Sequence, residues 1–254
     1  MMETKRFDVT ALGELLIDFT ENGLSGQGNT LFEANPGGAP CNVLAILAKL
    51  GRSVSFAGKV GDDMFGHMLA GALERAGIGR GGLVLDPAAH TTLAFVQNSP
   101  DGERSFSFYR DPGADELLRP EELPREALAA ARIFHFGSLS LTREPARSAT
   151  QAAVRLARAG GALVSFDPNL RTSLWKSLKE AKEQMLWGCS VCQVMKVSEE
   201  ELAFLTGCRD MAAGAAALRR AHPNIRLLAV TCGSAGSTAY WDGPAVSRPA
   251  FRQV

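Results

Sequence analysis

Small groups of glycine and polar side chains stand at the ends of short apolar runs in this 254-residue chain. Such positions meet ligands in an open α/β sheet. Gly37-Gly38-Ala39-Pro40-Cys41-Asn42 opens a helical stretch. Glycine lets backbone N–H groups approach a polar ligand closely, and the Asn42 amide both donates and accepts. The pair suits vicinal hydroxyls; it also fits a plain turn and helix start. Asp18, in Gly13-Glu14-Leu15-Leu16-Ile17-Asp18-Phe19, has apolar neighbours that predict partial burial. A buried carboxylate needs partners, and sugar hydroxyls serve. A surface acid on a strand is the alternative. Asp167-Pro168-Asn169-Leu170-Arg171 follows another apolar run. Proline fixes the exit, which aims Asn169 and Arg171 into a crevice, where a guanidinium neutralises a transferring phosphoryl group. A strand cap with a solvated arginine is the other reading. Ser198-Glu199-Glu200-Glu201 has the spacing of a capping box. Alternatively, Glu201 orders a magnesium-bound water near phosphates. Thr231, Gly233 and Gly236 form a strand-end turn fit for nucleotide phosphate or ribose, and equally for a hairpin into 237–241.

Other chemistries lack their signatures. No GxxxxGK[ST] occurs. Gly77-Ile78-Gly79-Arg80-Gly81-Gly82 matches GxGxxG but follows a predicted helix, whereas the dinucleotide fingerprint needs a strand before it. It reads as a helix stop plus loop. Of five cysteines, Cys189 and Cys192 form a lone CxxC without a second pair, in a segment read as a buried strand, so reduced structural thiols are expected. His67, His90, His135 and His222 show no ligand spacing, and His135 reads as a structural strand residue. Lys+Arg and Asp+Glu number 27 each, which argues against nucleic acid as partner. No apolar run approaches the roughly 20 residues of a membrane span, and the N-terminus lacks a signal peptide's apolar core, so a cytoplasmic protein is expected.

The elements that must position these groups alternate between β-rich and helical stretches, the pattern of a mostly parallel sheet with helices on both faces. Strands are predicted over 7–12, 53–60, 132–136, 162–167, 191–197 and 226–231. Helices are predicted over 40–50, 63–76, 145–159, 174–187, 199–206 and 211–221. Two regions break this rhythm. Residues 15–32 hold two extended runs around a polar turn. Residues 92–98 and 104–109 read as a hairpin across Ser99-Pro100-Asp101-Gly102-Glu103. Segments of about 15–35 and 90–112 are expected to form a small β-sheet lid over the strand ends.

The ordered set of motifs resembles the ribokinase-like (PfkB) carbohydrate kinases, and within them the fructokinases. It includes, besides those above, Gly58-Lys59-Val60-Gly61-Asp62-Asp63-Met64-Phe65-Gly66, Phe108-Tyr109-Arg110 with Gly113-Ala114-Asp115, and Val230-Thr231-Cys232-Gly233-Ser234-Ala235-Gly236. The resemblance covers nearly the whole chain, 1–254. It implies a Rossmann-like three-layer α/β/α fold with a lid that often forms a homodimer contact. It implies ATP-dependent phosphorylation of a sugar, D-fructose to its 6-phosphate, with Mg2+ and, in the full-length protein, K+. Carried over, Asp18, Gly37, Gly38 and Asn42 bind the sugar, and Arg110 helps to enclose it. Asn169 and Ser198 join Thr231, Gly233 and Gly236 at the nucleotide, Arg171 stabilises the phosphate, and Glu201 holds the metal through water.

The chain departs from the family in three places. Leu44 stands where a small residue is usual, and Ser198 where an asparagine is. The Gly-Ala-Gly-Asp element, whose aspartate is the family's general base, is expected after Val254. The expectation is therefore a C-terminally incomplete domain with little or no activity of its own, since losing a general base costs about 10²–10⁴ in rate. Rival readings are a kinase of the same fold acting on ribose, adenosine, 2-keto-3-deoxygluconate or aminoimidazole riboside, a non-catalytic sugar- or nucleotide-binding protein, and an NAD-dependent oxidoreductase.

Overall fold

The computed structural model describes residues 7–98 and 104–251. Its strands are β1 (Val9–Leu12), β2 (Leu16–Leu24), β3 (Thr30–Gly37), β4 (Val54–Gly61), β5 (Gly79–Asp86), β6 (Leu93–Asn98), β7 (Arg104–Tyr109), β8 (Ile133–Gly137), β9 (Leu163–Asp167), β10 (Val194–Ser198), β11 (Leu227–Thr231), β12 (Ser237–Tyr240) and β13 (Val246–Arg248). Its helices are α1 (Ala39–Lys49), α2 (Met64–Arg75), α3 (Arg125–Ala129), α4 (Ala146–Ala159), α5 (Leu178–Val191), α6 (Glu199–Thr206) and α7 (Met211–Ala221).

Nine strands form one sheet, in the order β13-β12-β11-β10-β9-β8-β1-β4-β5. From β11 to β5 all neighbours pair parallel, while β12 and β13 add an antiparallel edge. The chain builds outward from β1 through β4 to β5, then crosses back to place β8 on the other side of β1. That reversal is a topological switch point, and the crevice outside the carboxyl ends of β1 and β8 is the natural ligand site. Along β8, Phe134 and Phe136 enter one apolar cluster with Phe166 and Met185. Ile133 packs against a second, with Leu44, Phe56 and Leu69. Successive strand residues face opposite sides, so helices cover both faces in three layers, as expected. Phe136 is fully buried and stacks on Phe166 at 4.7 Å; truncating it to alanine would cost about 3–5 kcal/mol.

A second, four-stranded sheet has the order β3-β2-β6-β7 and comes from the two segments that break the α/β rhythm. The predicted hairpin is present, pairing Leu93 with Tyr109 and Asn98 with Arg104; its turn, 99–103, lies outside the described residues. Only Gly13-Glu14-Leu15 separates β1 in the main sheet from β2 in the second.

Several boundaries differ from the sequence reading. The glycine-rich segment from Gly79 is strand β5, not a loop, and pairs parallel with β4. A Cβ on Gly82 would lie 2.7 Å from Pro124 Cγ and 2.8 Å from Phe56 O, so glycine at that position permits a close approach in a strand that propensity alone reads as a loop. The strand expected from 191 begins at Val194, because α5 continues through Val191. That helix starts at Leu178, where Ser177 accepts a hydrogen bond from Glu180 N. Cys189 and Cys192 are therefore helix-end residues, both buried. Burial pushes the Cys189 thiol up to about 12 and Cys192 higher still, so neither is reactive. His135 is a buried β8 residue with Nδ1 3.0 Å from Ser165 Oγ, and burial lowers its pKa to about 4.

Candidate active site

Strands β2, β3, β6 and β7 of the second sheet line one side of the switch-point cleft, through residues such as Asp18, Asn35, Val96 and Phe108. The β1–β2 connection, the start of α1, the turn after β8 and the loop after β9 supply the rest. Glu14, Asp18, Gly38, Asn42, Asn169 and Arg171 line it. It encloses 350 Å³, within the roughly 300–1,000 Å³ of small-molecule sites.

Backbone geometry sets the first wall. Gly38 is the N-cap of α1 with φ 116°, a conformation open to glycine. A side chain at Gly38 would overlap the Glu14 carbonyl, and one at Gly37 would overlap Asp18 Oδ2. The two glycines thus let α1 start directly against β1 and β2, with Pro40 in its first turn and the Asn42 side chain exposed to the cleft. Asp18 is half-buried on β2. Burial raises its pKa, and Arg171 pulls it down. That coupling shows that groups 153 residues apart face one another.

The opposite wall is the loop after β9. Asn169 adopts the left-handed region at φ 47°, which asparagine tolerates better than most residues. Arg171 Nη1 donates to the Leu170 carbonyl at 3.3 Å. The loop is held by Glu201, whose Oε1 accepts from Leu170 N at 2.7 Å and whose Oε2 accepts from Ser198 N at 2.8 Å. Ser198 Oγ accepts from Glu201 N, so the capping box is real, and it also fixes the loop that carries Arg171. Asn169, Arg171, Lys196, Ser198 and Glu201 line an adjoining cavity of 560 Å³. Lys196 Nζ lies 3.3 Å from Asp167, whose pKa burial raises.

Thr231, Gly233 and Gly236 line a third cavity with Ser237, Arg248 and Phe251. It lies one strand further along the same edge, since Ser198 and Thr231 are register partners. The hairpin into β12 is present as well.

Arg110 departs from the sequence expectation. It is buried just beyond β7 and does not line the cleft. Its Nε donates to Asp115 at 2.8 Å, its Nη1 to Thr142 Oγ1 at 3.1 Å and its Nη2 to the Leu139 carbonyl at 3.2 Å. Thr92 Oγ1 donates to Asp115 at 2.5 Å. The arginine thus anchors both ends of the β6–β7 hairpin and supports Leu139, a cleft residue. It turns inward because Asp115 is its charge partner, and a guanidinium so buried needs one.

Glu14 was missed as a site residue. It is 3% exposed, and its Oε1 accepts from Ala39 N at 2.8 Å. Burial pushes its carboxyl up to about 7. Its signal was the one used for Asp18, a carboxyl among apolar neighbours.

Among the described residues no group of three metal-ligating side chains occurs, and no helix is long and apolar enough to cross a membrane.

A profile of the pfkB family carbohydrate kinases matches residues 6–254. The chain is 48% identical to probable fructokinase-4 of Arabidopsis thaliana, over 91% of this chain and 72% of the relative. It is 46% identical to fructokinase-2 of Solanum lycopersicum, over 91% and 71%. Among solved structures, the fructokinase from Xylella fastidiosa superimposes with a TM-score of 0.88 at 37% identity, over 97% of this chain and 76% of that one. The same fructokinase with bound ATP gives 0.86, over 97% and 75%, again at 37% identity. A double mutant of the fructokinase from Vibrio cholerae O395, in its fructose, ADP and potassium ion bound form, gives 0.84 at 30% identity, over 97% and 77%.

Proposed function

This chain belongs to the pfkB family of carbohydrate kinases, and we propose that it uses ATP to phosphorylate a sugar, D-fructose at its 6-hydroxyl. One observation carries the reading: Asn169 and Arg171 line both the cleft with Asp18, Gly38 and Asn42 and the cavity with Ser198 and Glu201. A polyol in the first and a triphosphate in the second would meet across a shared wall. The relatives that are fructokinases, and the ATP- and fructose-bound neighbours, support the same substrates.

In this reading the Asp18 carboxylate accepts hydrogen bonds from sugar hydroxyls and the Asn42 amide both donates and accepts, over a floor at Gly38; Gly37 is buried behind Asp18 and does not line the cleft. The attacking hydroxyl oxygen bonds to the γ-phosphorus as the bond to the β–γ bridging oxygen breaks; the hydroxyl proton is released to water, and ADP leaves. Arg171 offsets charge on the phosphoryl oxygens. Asn169 and Ser198 border the phosphates, and Thr231, Gly233 and Gly236 the remainder of the nucleotide. The second sheet serves as a lid whose closure keeps water from competing as acceptor. Magnesium would be held by phosphate oxygens and water, since no cluster of ligands occurs among the described residues. Both Glu201 oxygens accept one backbone N–H each and keep a second lone pair for such a water. The ion supplies neutralisation of phosphate charge. Exposed Leu24, Leu31, Phe32 and Tyr109 on the second sheet support a homodimer through the lid. Five free cysteines fit the reducing cytoplasm.

Titration calorimetry with D-fructose, D-ribose, 2-keto-3-deoxygluconate and adenosine tests the assignment, with ATP-dependent phosphorylation of each followed in parallel. Preferred binding of fructose is expected. Tighter binding of another acceptor would reassign the substrate, and no binding of any would overturn the reading.

A further inference from the structure

Glu14 is a buried ionisable group of the sugar-side wall without a role in the proposed reaction. Its Oε1 accepts from the first N–H of α1, while its Oε2 is buried without a partner among the described residues. Gly38 packs against its carbonyl, so Glu14 touches the helix start through both backbone and side chain. The charged and titratable groups facing it are Arg110 and Asp115, from the segment after β7, and the Cys41 thiol of α1. Arg110 is already engaged by Asp115, with Nη2 2.6 Å from Oδ2. Arg110 is the cation whose charge reaches Glu14, and Asp115 and Glu116 already engage it.

We propose that Glu14 is a proton-dependent positioning residue of the sugar-side wall: its neutral carboxyl group ties the first turn of α1 to the β1–β2 connection and so sets where Gly38 and Asn42 stand. Ionisation would place an unbalanced charge between α1 and the Arg110–Asp115 pair. Arg110 would be drawn toward it, away from Asp115 and the Leu139 carbonyl, and the wall would loosen. A sugar filling the cleft displaces water from the same wall, which further favours the neutral form. Sugar binding and proton uptake by Glu14 are therefore linked. With burial holding the carboxyl near 7, the linkage falls within the physiological range.

The inference rests on the sugar-kinase reading and is tested by fructose binding to the wild type, Glu14→Gln and Glu14→Ala between pH 6 and 8.5. If binding raises the Glu14 pKa by about one unit, wild-type Kd should weaken about five- to tenfold over that range. In buffers of different ionisation enthalpy at pH 7, about 0.4 of a proton should be taken up per sugar bound. Glu14→Gln keeps the acceptor for Ala39 N and cannot ionise. It should bind fructose as the wild type does at pH 6, with a flat pH profile and no Glu14-linked uptake. Glu14→Ala should bind fructose at least about tenfold more weakly at every pH, with a smaller change for ATP. A Glu14→Gln protein with the wild-type profile and uptake would overturn the proposal, as would a folded Glu14→Ala with wild-type fructose affinity. If Glu14→Ala does not fold, the Gln variant decides alone. A wild type that binds no fructose would sink the substrate assignment and this proposal together; binding without the Glu14 effects would sink this proposal only.

Discussion

The two walls of the cleft treat charge in opposite ways. On the sugar side, Glu14 and Asp18 are carboxyl groups pressed toward the neutral form by burial, and the guanidinium nearby is turned inward onto Asp115. On the phosphate side, Arg171 and Lys196 reach the cavity itself. The N-terminus of α6 borders the same cavity. Its first turn carries Glu199, Glu200 and Glu201, so its dipole is already met by its own acids. A polyol needs many hydrogen-bonding groups and little net charge; a triphosphate needs cations. Burial of Arg110 keeps that cation out of the cleft and leaves Arg171, on the shared wall, to face both cavities.

The comparison breaks most visibly at Arg110. Arg110→Ala leaves Asp115 buried without its partner and should cost about 3–5 kcal/mol of stability, read by urea denaturation. A cleft ligand would instead lose fructose affinity with stability intact, and that result would return Arg110 to the sugar. Glu14 gives the next largest effect. Its folded pKa, about 7, lies above the ordinary 4.5. The stabilisation from its neutral form is thus fully present below about 4.5 and lost as pH rises through 7. On the order of 3 kcal/mol separates those limits. The difference in stability between wild type and Glu14→Gln, followed from pH 4.5 to 8, should change by that amount. A constant difference would show that the sugar side is not built on a neutral carboxyl.

Much of this organisation was legible beforehand. The parallel strands are short apolar runs with glycine stops, and the second sheet shows as alternating runs that interrupt the α/β rhythm. The meeting of Asp18 and Asn42 with Arg171 was implied by the family resemblance; Asp18 lies within β2 and Asn42 in the first turn of α1, and topology brings both to the edge where the loop after β9 carries Arg171. Three features were hidden for physical reasons. Strand β5 needs glycine at Gly82, where Pro124 and the β4 backbone crowd it, and glycine weakens the local strand signal. The end of α5 is apolar on its way into the core, so periodicity could not separate it from β10. The inward turn of Arg110 depends on Asp115, five residues on, and on Thr142 and Leu139, which only the fold brings near. Residue type announces a cation, not the direction in which it points.

Arg171 sharpens the phosphate side. Arg171→Ala should weaken ATP by about 1.5–3 kcal/mol, the worth of charged hydrogen bonds, with a smaller loss for fructose. It should also raise the Asp18 pKa further, since Arg171 is what lowers it. Calorimetry with both ligands checks the first, and carboxyl NMR titration the second. Equal losses for the two ligands would mean that the walls are not specialised.

The smallest effect is the most local. Ser198→Ala removes the N-cap acceptor of Glu201 N and should cost about 1 kcal/mol of stability. Glu201 would still hold Leu170 N through Oε1, so the loop bearing Arg171 should stay in place and ATP affinity should barely move. Glu201→Ala removes both ends of the bridge. It leaves Leu170 N and Ser198 N without their acceptor and should lower ATP affinity along with stability. If Ser198→Ala weakens ATP as much as Glu201→Ala does, then Ser198 meets the nucleotide directly. The phosphate side would then begin at the end of β10 rather than at the loop after β9.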